Sequence, residues 1–151
     1  MNKILFKFLM IERIEVGPID LEHALRVATA VLLVEVMRAD FAVQPAERAR
    51  LRQLLERQFG LEPAELDALL EQAESDADRL VSLQHITRQM NQHYDHAMKL
   101  RVIEMMWHMV YADGEKDHYE EHLIRQVAEL LYISHAEYIQ ARHKAEAQAG
   151  A

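Results

Sequence analysis

The sequence predicts an all-α fold, a compact single-domain bundle of about seven to eight helices arranged as two pseudo-symmetric repeats. Three observations carry that expectation. Only four Gly and three Pro punctuate the 151 residues, too few turn formers for a β-rich fold. Apolar residues recur at helical spacing through most of the chain. The chain also matches itself at a shift of 73 positions.

The elements follow in order. A first helix is expected over residues 1–15; its Met1 to Ile11 part is apolar around most of a helix, with Lys3 and Lys7 four apart on the remaining strip. Packing onto the body of the domain is the expected role of this first helix, with peripheral membrane contact through residues 1–14 as the competing one. Charged residues interrupt the stretch well short of the roughly 20 apolar residues that a membrane span needs. Val16-Gly17-Pro18 breaks it, and Asp20 is suited to cap the next helix. From Leu21 to Ala39 the apolar and small residues describe a core helix. Pro45 opens a helix whose Leu51, Leu54 and Leu55 share one face, and Gly60 is placed to close it in the left-handed conformation. Pro63 opens a helix to about Ser75. A more polar connecting helix is expected over about 76–92, with Leu80, Leu83, Ile86 and Met90 inward. A second long helix follows from about Tyr94 to Ala112, then two shorter ones from Asp117 and from Ser134, the last begun by a Ser134/Glu137 capping box.

The repeat is ungapped over its first part. His23-Ala24 falls on His96-Ala97, Ala39-Asp40 on Ala112-Asp113, Glu47 on Glu120, Arg52-Gln53 on Arg125-Gln126 and Glu56 on Glu129. After one deletion Leu61 falls on Ile133 and Ala64-Glu65 on Ala136-Glu137. Apolar coincidences arise between any two helices, whereas polar identities held in register do not. The expected units are therefore repeat one over about 20–72, the connecting helix, and repeat two over about 93–147.

Composition bounds the function. With no Cys there is no disulfide framework, thiolate nucleophile or sulfur-ligated metal. A net charge of −8 argues against nucleic-acid binding, which needs clustered Lys and Arg, and favours a cation or a basic partner. No catalytic triad order, P-loop or dinucleotide fingerprint is present, so no enzyme is expected.

One acidic constellation stands out. In each repeat a long helix ends in Ala-Asp, and a Glu follows seven positions after the Asp: Asp40 with Glu47, and Asp113 with Glu120. The second junction adds Gly114, Glu115, Asp117 and Glu121. Oxygen ligands converging on such a turn suit a hard divalent cation, Ca²⁺ or Mg²⁺. The loop is not an EF-hand, because Gly114 follows Asp113 directly. The same residues also fit a purely structural account, in which Asp117 and Glu120 form a capping box and Asp40 and Asp113 bond their own turns. His118 and His122, and His93 and His96, have helical spacing for zinc but lack the zincin order, so surface or capping roles are expected. Met98, Met105, Met106 and Met109 around Trp107 read as core.

These motifs resemble the TerB-type tellurite-resistance family. The resemblance rests on Val36-Met37-Arg38-Ala39-Asp40, Glu47, the Leu54 to Leu61 run, Val110-Tyr111-Ala112-Asp113-Gly114 and the Glu120 to Leu131 run, and covers about Leu21 to Arg142. It implies a bacterial, cytoplasmic, all-helical protein of tellurite and stress responses that takes part in metal-binding complexes. The family's Asp-Gly and downstream Glu pattern carries over to Asp113, Gly114 and Glu120, and to Asp40 and Glu47, although Phe41 stands where the first repeat would need Gly. The expected function is a non-catalytic module that binds a divalent cation at its acidic turns and assembles with protein partners. The alternative is an interaction or homodimerisation domain whose carboxylates only cap helices.

Overall fold

The computed structural model describes residues 18–39, 45–78, 82–112 and 118–149, with the side chains of 18–20, 118 and 119 excepted. Among these residues all regular structure is helical: α1 (Pro18–Arg38), α2 (Pro45–Phe59), α3 (Pro63–Asp78), α4 (Leu83–His93), α5 (His96–Val110), α6 (His118–Leu130) and α7 (His135–Ala149). The expected helix over residues 1–15 lies outside the described residues.

The two long helices are central because they are apolar nearly all round, and such a helix is stable only when covered on every side. Leu32, Leu33 and Val34 of α1 are wholly buried, as are Met105, Met106 and Trp107 of α5. These two triplets are 73 residues apart. α1 packs against α5, while α3 covers α1 and α7 covers α5. Matching positions on the covering helices are again buried: Leu66 and Tyr138, Leu69 and Ala141, Ala73 and Ala145. The Met cluster is core, as its spacing implied, with Met98 at the margin.

Directions follow from cross-helix contacts. Arg48 and Arg52 of α2 pair with Glu74 and Asp67 of α3 at 2.9 and 2.6 Å, so these helices are antiparallel. Arg38 at the end of α1 pairs with Asp78 at the end of α3, so α1 and α3 run together. The ends of α1 and α3 and the start of α2 thus meet at one pole of the first repeat.

Local chemistry sets the boundaries. Gly60 ends α2 at φ 61°, its N–H bonded to the Glu56 carbonyl at 2.8 Å. Tyr132 occupies the equivalent position after α6 at φ 59°. There the Tyr132 and Ile133 N–H groups bond the Glu129 and Ala128 carbonyls at 3.1 and 2.9 Å, the Schellman pattern. Ser134 and Glu137 form the expected capping box, with Ser134 Oγ accepting from the Glu137 N–H at 3.2 Å and Glu137 Oε1 accepting from the Ser134 N–H at 3.1 Å. The connecting helix departs from its expected span of 76–92. Residues 76–78 continue α3, where the Gln72 amide donates to Asp76 Oδ1 at 2.9 Å, and α4 starts only after Ser82, whose Oγ accepts from the His85 N–H. Similarly, Asp95 rather than Tyr94 marks the start of α5, its carboxylate accepting from the Met98 N–H at 2.8 Å. Tyr94 instead turns inward, where its hydroxyl shares a 2.9 Å hydrogen bond with Thr29 Oγ1 and donates to the Leu25 carbonyl, tying the α4–α5 corner to α1.

Candidate functional site

Of the candidate site residues, Asp40, Asp113, Gly114 and Asp117 lie outside the described residues, as does Glu115. Glu47, Glu120 and Glu121 are described, and the structure separates them sharply. Glu47 in the first turn of α2 is 1% exposed, and Glu120 in the first turn of α6 is 3% exposed. Burial of a carboxylate is costly unless its oxygens are engaged, and both residues interact with neighbouring groups. A position in the first turn also sets each negative charge against the positive end of a helix dipole. Glu121, one residue on, faces elsewhere. Its Oε1 lies 3.6 Å from Arg142 Nη1 and 3.9 Å from Arg125 Nη2, so two guanidinium groups already compete for it.

Other polar groups gather at the pole where α1 and α3 end and α2 starts. Asp76 is 4% exposed. Glu35 is half-buried, and that burial, with the Asp78 charge adding to it and Arg38 opposing it, raises its carboxyl above the usual range. Sequence reasoning passed over both residues. The repeat register was the signal: Glu35 aligns with His108, and Asp76 with Gln148. In the second repeat this pair is in direct contact, His108 Nε2 and Gln148 Oε1 being 2.7 Å apart. Burial pushes the His108 imidazole below its ordinary value, an effect that the Gln148 bond opposes and the Arg101 and Arg50 charges reinforce. Each repeat therefore keeps polar groups where its core helix meets its covering helix, carboxylates in the first and an imidazole with an amide in the second.

The donors near the junctions are oxygens, as Ca²⁺ or Mg²⁺ requires. Among the described residues no three His, Asp or Glu side chains converge as a metal cage. Glu47 and Glu120 would each supply a single carboxylate. Histidine is used otherwise. His96 Nε2 lies 2.6 Å from Glu137 Oε2, tying the start of α5 to the start of α7. This contact and the Ser134 bonds hold the Glu137 carboxyl down at about 2.

A two-repeat helical bundle with one buried Glu in the first turn of each equivalent helix defines the class: a duplicated all-α module. The profile of tellurite resistance protein TerB matches residues 26–143, and the chain belongs to that family. No curated protein and no solved structure matches it. Among the described residues no helix is long and apolar enough to cross a membrane.

Proposed function

We propose that the chain is a non-catalytic TerB-type module of the tellurite and stress response, working in the cytoplasm, which takes up a divalent cation at its acidic junctions and assembles with protein partners. One observation supports this reading above the rest: Glu47 and Glu120 are both buried, both in the first turn of a helix, and 73 residues apart. Two helix starts that each carry a buried acid in the same register suggest a duty common to both repeats, and capping alone can be performed by an exposed side chain. The second junction is the stronger candidate because its turn supplies Asp113, Gly114, Glu115 and Asp117, whereas the first supplies apolar Phe41, Ala42 and Val43. A bound Ca²⁺ or Mg²⁺ would neutralise the acidic turn and fix the angle between α5 and α6. The partner-binding surface would then respond to the ion.

Calorimetric titration with Ca²⁺, Mg²⁺ and Mn²⁺ tests the cation, together with thermal unfolding with and without the ion. The expected result is saturable heat and a raised Tm, both abolished by Asp113→Asn with Glu120→Gln. Absence of heat and an unchanged Tm would leave the structural alternative, in which the same substitutions lower stability whether or not an ion is present. Mixed protein partners or a homodimer would be read by light scattering with and without the ion.

A further inference from the structure

The methionines of the described residues divide into core and margin. Met37, Met90, Met105, Met106 and Met109 are at most 1% exposed, whereas Met98, in the first turn of α5, is only partly buried. Among these thioethers Met98 is therefore the one that a small oxidant meets while the protein stays folded.

The Met98 sulfur also has a polar neighbour. The side-chain amide of Gln58, in the last turn of α2, donates from Nε2 to Met98 Sδ at 3.5 Å. Its orientation is fixed by Arg101, one turn further along α5, whose Nε lies 2.9 Å from Gln58 Oε1. A guanidinium only donates, so the amide oxygen must face Arg101 and the amide N–H must face the sulfur. A thioether is a weak acceptor, and a good donor is thus held against an atom that makes little use of it. Packing does not require this arrangement. In the repeat register Met98, Gln58 and Arg101 fall on Leu25, Leu131 and Ala28, which are apolar and buried.

We propose that Met98 is a modification site for peroxides, oxidised to a sulfoxide whose oxygen takes over the Gln58 N–H. In the reaction with hydrogen peroxide a sulfur lone pair attacks one oxygen and the O–O bond breaks. The departing hydroxide takes the proton left on the transferred oxygen and becomes water. Sulfur gives up two electrons and the peroxide gains them. The new oxygen is a far better acceptor than the thioether, so the oxidised side chain strengthens the tie between α2 of the first repeat and α5 of the second. Oxidation of one of the buried methionines would instead put an oxygen into the apolar core, where polar groups are costly to leave unpaired. This inference is independent of the cation reading, since none of its residues belongs to the acidic junctions.

Limited treatment of the folded full-length protein with hydrogen peroxide, followed by proteolysis and mass spectrometry, measures oxidation at each methionine. Met98 is expected to gain one oxygen several-fold faster than Met37, Met90, Met105, Met106 and Met109. The side-chain ¹⁵N–¹H signals of Gln58 are expected to shift as Met98 is converted, because the N–H exchanges sulfur for oxygen as its partner. Gln58→Glu keeps an acceptor for Arg101 and removes the donor. Oxidation is therefore expected to lower the Tm of that variant and to leave the wild-type Tm in place, with Met98→Leu treated in parallel to subtract the effect of other methionines. Equal oxidation of Met98 and the five buried methionines, Gln58 amide signals that do not move, or the same loss of Tm in wild type and Gln58→Glu would each overturn the proposal. The first two measurements use the wild-type chain and hold whether or not the variant folds.

Discussion

Gly60 and Tyr132 hold the same backbone conformation at equivalent corners, φ 61° and 59°, with opposite residue choices, and substitution at the two should therefore give unequal results. A Cβ built on Gly60 meets nothing within 4 Å, so Gly60→Ala introduces no clash and its cost is that of the backbone alone. A non-glycine residue in this region costs about 1–2 kcal/mol. Loss of unfolded-state freedom returns about 0.4–1 kcal/mol. The net expectation is destabilisation by about 1 kcal/mol, or a Tm lower by about 2–4 °C for a chain of this size. At Tyr132 the strain is already present, and the ring is 78% exposed. Its one described partner is Lys99 Nζ, 6.0 Å from the ring centroid, a contact worth about 0.5–1 kcal/mol at an exposed site. Tyr132→Gly relieves the strain, loses that contact and frees the unfolded chain, so the terms cancel to within about 0.5 kcal/mol. Urea unfolding followed through Trp107, the single tryptophan, measures both. A stabilising Gly60→Ala, or a loss above about 2 kcal/mol for Tyr132→Gly, would refute the reasoning, the second by showing that the ring supports the fold.

Three further outcomes are expected. Because burial holds the folded His108 imidazole below its ordinary 6.5, the unfolded chain binds more protons in acid, and the resulting loss of stability sets in as pH falls below about 6.5; His108→Gln should flatten that limb of a pH series of urea midpoints. Glu137, held at about 2 by His96 and Ser134, contributes stability above its ordinary 4.5 that is lost as pH falls from there towards 2, so Glu137→Gln should flatten the lower limb and leave the upper one in place. Asp95→Ala removes the oxygen that accepts from the Met98 N–H and should lower stability by about 1 kcal/mol in the same assay, where a neutral result would show that solvent satisfies that helix end equally well.

The repeat was readable because the same apolar registers and a few polar identities recur, and the helix ends because Gly60, Pro45, Pro63 and Ser134 each carry a specific backbone preference. Long-range polar contacts were not. Nothing local to His96 indicates Glu137, 41 residues away, and nothing local to Thr29 indicates Tyr94, because a polar residue in a helical pattern reads as surface until the neighbouring helix is placed. The αL turn at Tyr132 was hidden for a related reason: tyrosine has no preference for it, and only alignment with Gly60 reveals it.

The candidate site is the instructive case, since part of it lay in the periodicity. Glu47 is followed at four, seven and eight positions by Leu51, Leu54 and Leu55, all buried. Glu120 is followed at four, seven and eight positions by Ile124, Val127 and Ala128, also buried. Both acids therefore begin the apolar stripe of their helix and must face inward with it. Glu121 lies about 100° further round, where its i+4 neighbour is Arg125, and its ion pairs follow from that register. A carboxylate needed only to cap a helix can occupy any exposed place in the first turn. Two that open a buried stripe in two repeats carry the cost of desolvation twice, and the neighbouring groups that each carboxylate meets help to offset it.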